Sequence, residues 1–460
     1  MNPLLPENCF VPDAEARVMP DGRLYLYGSW DIPNNDNYCT RIMHCFSTDD
    51  MVNWTDHGVI FRNDEEFYGI PWNKDSELYA PDAIEKDGKY YLYVCGHRKE
   101  EGVAVADSPT GPFSVAERIE IADGDGIDPA VFVDHDGQAY LFWGQFSLRG
   151  AKLAEDMKTV LPETLTHGIL TEWEHGFHEG ASIRRRGDKY YMVFTDISRG
   201  KATCMSYAVA DSPLGPYKKG GVIIDNIYCD PETWNNHGSI AEYKGQWYVF
   251  YHRSSQKRKA CRRVCAEPIF FDENGYIREV EQTSQGASAP LCAYESIPAR
   301  AACRIMGQSH LTPVEGAEIL SVNPKGHWHL PDWAEYKYLD FSTHSPTHVY
   351  LTARGTGTVT VKTEGDRTLA LCPVNTEDWQ EVCAPLTLPV TGIHPVWLHA
   401  AGEMQIKSFR FADEPGQKIR AGKATLADLA AIAEKMGACP SPISGKQEYL
   451  ESIVNRVMFG

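Results

Sequence analysis

Five short segments in the first 255 residues each place one polar side chain 6 to 9 positions ahead of a turn glycine. They are Asp13 in FVPDAEARV, Asp82 in YAPDAIEK, Asp128 in GIDPAVFV, Glu179 in FHEGASIRR and His237 in NNHGSIAEY. A single Asp in such a place is readily a turn or cap residue. Five in register need another explanation, because carboxylates gathered at one axis are costly unless a function or a cation accounts for them. Two carboxylates facing a neutral substrate can divide proton transfer, one taking a proton from water and the other protonating a leaving oxygen. Inverting cleavage of a glycosidic bond needs that pair roughly 6.5–9.5 Å apart, with the acid's pKa raised by desolvation or a nearby negative charge. A third carboxylate suits that last task.

Each polar residue is followed by the same phrase, a turn containing Gly and then a strand of alternating aromatic and aliphatic residues. The copies are DGRLYLYGS, DGKYYLYVC, DGQAYLFWG, GDKYYMVFTD and KGQWYVFYH, with turn glycines at 22, 88, 137, 187 and 245. A second word, DSPTGPF from Asp107 and DSPLGPY from Asp211, recurs 104 residues apart, or about two of the larger units. Turn chemistry followed by period-two β-rich residues marks hairpins. Repeats of about 50 residues built this way predict a β-propeller, here of five blades. A long β-sandwich is the alternative. In a propeller the innermost strands line a central channel, so all five polar residues would face one axis.

The ordered set of Asp13, Asp128 and Glu179, with their surrounding words VPDAEARVMPDGRLYLYGSWD, GIDPAVFVDHDGQAYLFWG and FHEGASIRRRGDKYYMVFTD, resembles glycoside hydrolase family 43 over residues 1 to about 290. The resemblance implies Asp13 as general base, Asp128 as pKa modulator and orienting residue, and Glu179 as general acid. It places His237 on the channel axis, where it often helps hold calcium or structured water. No cofactor is required on this reading beyond a structural Ca2+ in the channel, held through water. Glu179-Gly180-Ala181 departs from the common Glu-Gly-Pro, and YAPDAI departs from the common Trp-Ala-Pro word in the second blade. Asp82 and His237 are candidate substrate contacts. Arg253 is either another or a surface residue beside the basic run QKRKACRR. Trp30 and Trp72, in loop-like contexts, are candidate stacking platforms for a sugar face. Trp143 reads as core and Trp54 as outer-strand packing.

From about Pro298 short alternating strands such as THVYLTARG and GTVTVKTEG predict a small antiparallel sandwich. Its closing stretch resembles carbohydrate-binding module family 6, with Lys407-Ser408 in place of the usual Asp-Trp; packing or dimerisation is as good a role for it as sugar binding. Thr425 and Asp428 form a capping box for a final helix that Gly437 would end. The chain is thus expected to be all-β: a propeller at 1–295, a sandwich at 296–415 and a short helical tail at 416–460.

A formal net charge of −19 argues against nucleic acid or an anionic membrane as partner, and no apolar run is long enough to span a membrane. Neutral sugars remain, and an oligosaccharide is the expected partner; a homo-oligomer stays open. The 13 scattered cysteines and an N-terminus without a secretory pattern point to reduced thiols and the cytoplasm. The expected activity is exo-acting removal of α-L-arabinofuranosyl or β-D-xylosyl units from plant cell-wall oligosaccharides. The bulky stretch between Gly58 and Ala80, placed to close one side of the channel, supports the exo preference. Alternatives are an arabinanase or galactan-acting glycosidase, a fructosidase or mannoside phosphorylase on the same fold, and a catalytically silent sugar-binding propeller. The Asn-Asp-Pro-Asn-Gly word of fructosidases and an Arg/His cluster for phosphate are both missing.

Overall fold

The computed structural model describes residues 1–97, 100–121, 126–322 and 332–413. Five antiparallel sheets follow one another along the chain, and each starts with a strand at the hub: Glu15–Val18, Leu78–Lys86, Ala130–Val133, Phe177–Arg186 and Ser239–Tyr243. Each of these hub strands packs against the hub strands before and after it, and the last packs against the first, so the ring closes. A parallel bridge between Ala14 and Gly238 joins blades one and five, and the N–H of Leu4 donates to the carbonyl of Val264 at 3.0 Å.

The second strand of each blade is Leu24–Gly28, Lys89–Gly96, Ala139–Trp143, Lys189–Asp196 or Gln246–Ser255. It is apolar on both faces because it has a neighbouring blade on either side. In the fourth blade Tyr190, Met192 and Phe194 pack toward the third, while Tyr191 and Val193 pack toward the fifth. Five hydrophobic clusters result, one in each gap between blades. The period-two pattern therefore sorts residues between two cores instead of between core and water. Trp143 is fully buried in the gap between blades two and three, and Trp54 packs against the gap between blades five and one.

The second unit is a β-sandwich with its own core. It takes in Leu291–Cys292, which pairs parallel to Trp333–Asp340, and it is built mainly from His348–Thr363, Arg367–Pro385 and Ile393–Ala412. These last strands, of 16, 19 and 20 residues, are longer than the short strands expected. They run on through glycines that the pattern alone reads as turns. At Gly355 (φ +110) and Gly402 (φ +124) a Cβ would stand 2.4 Å from a backbone carbonyl oxygen of the neighbouring strand, so only glycine allows the bend without ending the strand. The unit is keyed to the propeller by the buried ion pair of Arg263 and Glu318, 2.7 Å apart. Glu318 also accepts from Ser255 Oγ at 3.0 Å and Gln256 Nε2 at 2.7 Å. The helix expected from Thr425 lies outside the described residues.

Candidate active site

The mouth of the hub opens into a pocket of about 340 Å³ lined by Asp13, Asp128, Glu179 and His237. Asp13 and Asp128 stand just ahead of the hub strands of blades one and three, and both have left-handed backbones, with φ of 56° and 55°. That turn aims each carboxylate at the axis instead of into an inter-blade core, and Asp tolerates it better than most residues. Glu179 lies within the fourth hub strand at a register shift. Gly180, at φ +66, follows it, and a Cβ there would meet the His237 ring at 2.6 Å. Glycine at 180 thus lets the imidazole lie flat against the Glu179 segment.

Asp13 is 5% exposed, and its Oδ1 receives Arg262 Nη1 at 2.8 Å and stands 3.5 Å from His237 Nδ1. Arg262 is itself held by a buried carboxylate: Nε and Nη2 donate to Asp31 at 2.9 and 3.0 Å. Burial alone would raise the Asp13 pKa, but Arg262 and His237 outweigh it and hold the carboxyl well below the usual range. Among the described residues no cation pairs with Asp128 in this way. Burial raises its pKa to about 7; the nearby His237 lowers it in part, and Glu179 and Asp13 add to the rise. His237 is pulled down by burial, yet its hydrogen bond with Asp13 and the charge of Asp128 carry it up to about 9, so it is a cation at neutral pH. Glu179 Oε2 accepts from Gln145 Nε2 at 2.8 Å, and Oε1 accepts from Asn235 Nδ2 at 3.2 Å. One carboxylate is therefore paired to stay ionised, a second keeps its proton to near neutrality, and a third sits between two amides. Chemically, that set can move protons onto and off a neutral ligand.

The residues read as substrate contacts divide. His237 lines the pocket; Trp30, Trp72, Asp82 and Arg253 do not. Asp82 lies deeper along the axis, bound by Arg17 at 2.6–3.1 Å and by the N–H of Val131 at 2.7 Å, where it stitches blades one, two and three together. Burial raises its pKa to about 6 against the opposing effect of Arg17. Trp30 stacks on His44 with ring centroids 3.9 Å apart. Trp72 fills the space over Gly102, where a Cβ would meet its ring at 2.8 Å. Arg253 points the other way along its strand, to Cys265 Sγ at 3.0 Å and the carbonyl of Ala302 at 3.2 Å, under the sandwich. The arginine that reaches the site is Arg262, one strand over and inside the QKRKACRR run. Its signal in the sequence was parity, since in a strand Arg262 and Arg263 face opposite sides. Trp234 and Asn235, just before His237, and Tyr38, Cys39, Tyr79 and Gln145 also line the pocket without having been singled out.

Among the described residues no three His, Cys, Asp or Glu side chains converge as a metal site. The deeper channel carboxylates are already matched by cations: Asp82 by Arg17, and Glu15 by Arg17 and Arg184. A calcium ion bound directly by carboxylates does not fit this channel. The described cysteines are all free thiols. A larger pocket, about 710 Å³, lies on the sandwich along Arg354, Asn375 and Glu403, away from this chemistry.

A sequence profile of glycosyl hydrolases family 43 matches residues 2–277, and one for the XylA2 C-terminal domain matches residues 410–458. A xylosidase/arabinosidase of Thermoclostridium stercorarium is 32% identical, over 89% of this chain and 98% of its own. Among solved structures, a family 43 β-xylosidase/α-arabinofuranosidase from a compost microbial metagenome, solved with xylotriose, is 31% identical. It covers 61% of this chain and 97% of its own, with a TM-score of 0.53. An arabinoxylan arabinofuranohydrolase from Bacillus subtilis, at 22% identity and a TM-score of 0.53, shares the fold over 90% of this chain and 97% of its own.

Proposed function

Since this chain belongs to glycosyl hydrolase family 43 and is a glycoside hydrolase, we propose that it removes single β-D-xylosyl or α-L-arabinofuranosyl units from the ends of xylan-type oligosaccharides, with inversion. The observation that carries this reading is the electrostatic division of the three pocket carboxylates. Asp13, kept ionised by Arg262 and His237, takes a proton from a water molecule as that water attacks the anomeric carbon. Glu179 gives a proton to the glycosidic oxygen as the C–O bond breaks, and the leaving sugar departs as an alcohol. Asp128, buried beside them, keeps its own proton to about pH 7 and orients the Glu179 segment by accepting the N–H of Gly180. Attack by water instead of by an enzyme carboxylate inverts the anomeric centre. Asp13 suits the role of base because Arg262 pins the oxygen that a nucleophile would have to swing toward the sugar.

The names of the relatives support the sugar class: xylosidase/arabinosidase, and β-xylosidase/α-arabinofuranosidase solved with xylotriose. Exo action is supported by the size of the pocket, which is at the low end for ligand sites, and by Tyr79 and His97, hydrogen-bonded at 2.9 Å, which wall one side. Arg17 and Arg184 already match the channel carboxylates, and a protonated His237 has no lone pair to offer, so the residues present do not suit calcium, and no step above passes through it. The test is release of 4-nitrophenol from the β-D-xyloside and the α-L-arabinofuranoside, together with xylose release from xylobiose. Glu179→Gln should lower the rate on xylobiose by about 10²–10⁴. The loss on the aryl glycosides should be smaller, because nitrophenolate leaves without help. A proton NMR time course should show α-xylose first from a β-xyloside. Wild-type protein that cleaves none of these substrates, or Glu179→Gln with undiminished turnover, would overturn the reading.

A further inference from the structure

Next to the pocket-lining residues Gln145 and His178, on segments bonded to them, two large aromatic side chains stand in water. Phe146 is 50% exposed and Trp173 is 96% exposed. Scattered apolar residues on a surface are ordinary, but the segments that carry this pair are tied to each other and to the segment of Glu179. The N–H of Phe146 donates to the carbonyl of His178 at 2.7 Å, and the N–H of Glu172 donates to the carbonyl of Phe146 at 2.9 Å. The Phe146 ring meets His178 edge-on at 5.2 Å, and the other side of His178 is fixed by Glu172 at 2.9 Å. Trp173 rides on the single-turn helix Glu172–His175. Thr171 caps that helix, and Gly176 closes it at φ +74, where a Cβ would strike Asp196 Oδ1 at 2.2 Å.

This rigid rim lies on one particular side of the reaction. Gln145, which donates to Glu179, directly precedes Phe146, and His178 directly precedes Glu179 and lines the pocket. The acid must touch the oxygen of the leaving group, so the leaving sugar emerges over the segments that hold the acid. We propose that Phe146 and Trp173 form the leaving-group binding platform, taking the first and second pyranose units beyond the scissile bond on their ring faces. The ligand is a neutral β-linked oligosaccharide whose sugar rings present flat C–H faces, which is the chemistry that aromatic faces recognise without charge. A backbone fixed in advance loses little conformational freedom on binding. The inference rests on the glycosidase reading and extends it from the cleaved unit to the chain that leaves.

The experiment uses the full chain carrying Glu179→Gln, so that substrate binds without being consumed. Xylose, xylobiose and xylotetraose are titrated by calorimetry into this protein and into the same protein with Trp173→Ala, Trp173→Phe or Phe146→Ala. Each alanine variant should cut the ratio of xylotetraose to xylose affinity by about tenfold, and Trp173→Phe should restore most of it. An unchanged ratio in both alanine variants overturns the platform. So does a change of oligomeric mass on sedimentation of Trp173→Ala, which would make the rim a contact between two copies of the chain. The two readings fail separately: with wild-type turnover of the nitrophenyl glycosides intact, an unmoved ratio removes only the platform. Absence of turnover and of sugar binding at every chain length removes both.

Discussion

Replacing Arg262 tests the electrostatic core of the site. The residue is 2% exposed, and its guanidinium spans two carboxylates, Asp13 at 2.8 Å and Asp31 at 2.9 and 3.0 Å. At an effective dielectric near 20, a cation about 4 Å from the Asp13 charge favours its ionised form by about 4 kcal/mol, a ceiling that burial partly offsets. Measured opposite-charge partners at this range lower a carboxyl pKa by about 1–3. The sign follows directly. Arg262 depresses the Asp13 pKa, so losing Arg262 raises it, and the base becomes protonated, and useless, at a higher pH. Arg262→Lys keeps a charge but cannot fork between two carboxylates. In that variant the acidic limb of the kcat/KM profile on 4-nitrophenyl β-D-xyloside should move up by about one pH unit or more, with a smaller loss on the plateau. Arg262→Met should move it furthest, and it should destabilise the protein by about 3–5 kcal/mol because Asp31 stays buried without a counter-ion. Thermal unfolding of each variant separates the two effects. If the melting temperature falls while the acidic limb stays where the wild type has it, Arg262 only holds the fold together, and the assignment of Asp13 as a base tuned by Arg262 is refuted.

Asp128→Asn should remove the inflection that a carboxyl with a pKa of about 7 adds to the kcat/KM profile, and an unchanged inflection would assign it to another group. Gly180→Ala places a methyl 2.6 Å from His237 in a backbone at φ +66, so activity should fall at least tenfold with a stability loss of about 1–3 kcal/mol; near-wild-type turnover would mean that the imidazole is free to move. Glu318→Gln leaves Arg263 buried without its counter-ion and should cost about 3–5 kcal/mol in denaturant unfolding, whereas a loss under about 1 kcal/mol would show that the ion pair does not couple the two units. Chelation with EDTA should leave turnover within about twofold of the untreated enzyme, because arginines already match the channel carboxylates; a larger loss restored by Ca2+ would make the His237 site functional.

Sequence alone determined what repeats locally. The turn glycines, the doubly apolar strands after them and the polar residue ahead of each are short-range patterns. Five of them imply five blades before any coordinate is known. Because the polar position recurs in register, Asp13, Asp128, Glu179 and His237 could be expected at one axis, and they line one pocket. Tertiary structure decided which side of the molecule each remaining candidate met, since distant segments supply the other wall. Asp82 stands 6 positions ahead of its turn glycine, against 8 or 9 for the others, and so lies inside its hub strand and a layer deeper, against Arg17. Arg253 and Arg262 look alike in sequence; strand parity and pairing turn one under the sandwich and the other toward Asp13. The state of each carboxyl is likewise a property of the assembled hub. Asp13 and Asp128 share residue type, local backbone and burial, yet a cation delivered from 249 positions away keeps one ionised while the other holds a proton to about pH 7. Charge acts through space over a few ångströms, and only the closed ring of blades determines which charges come that near.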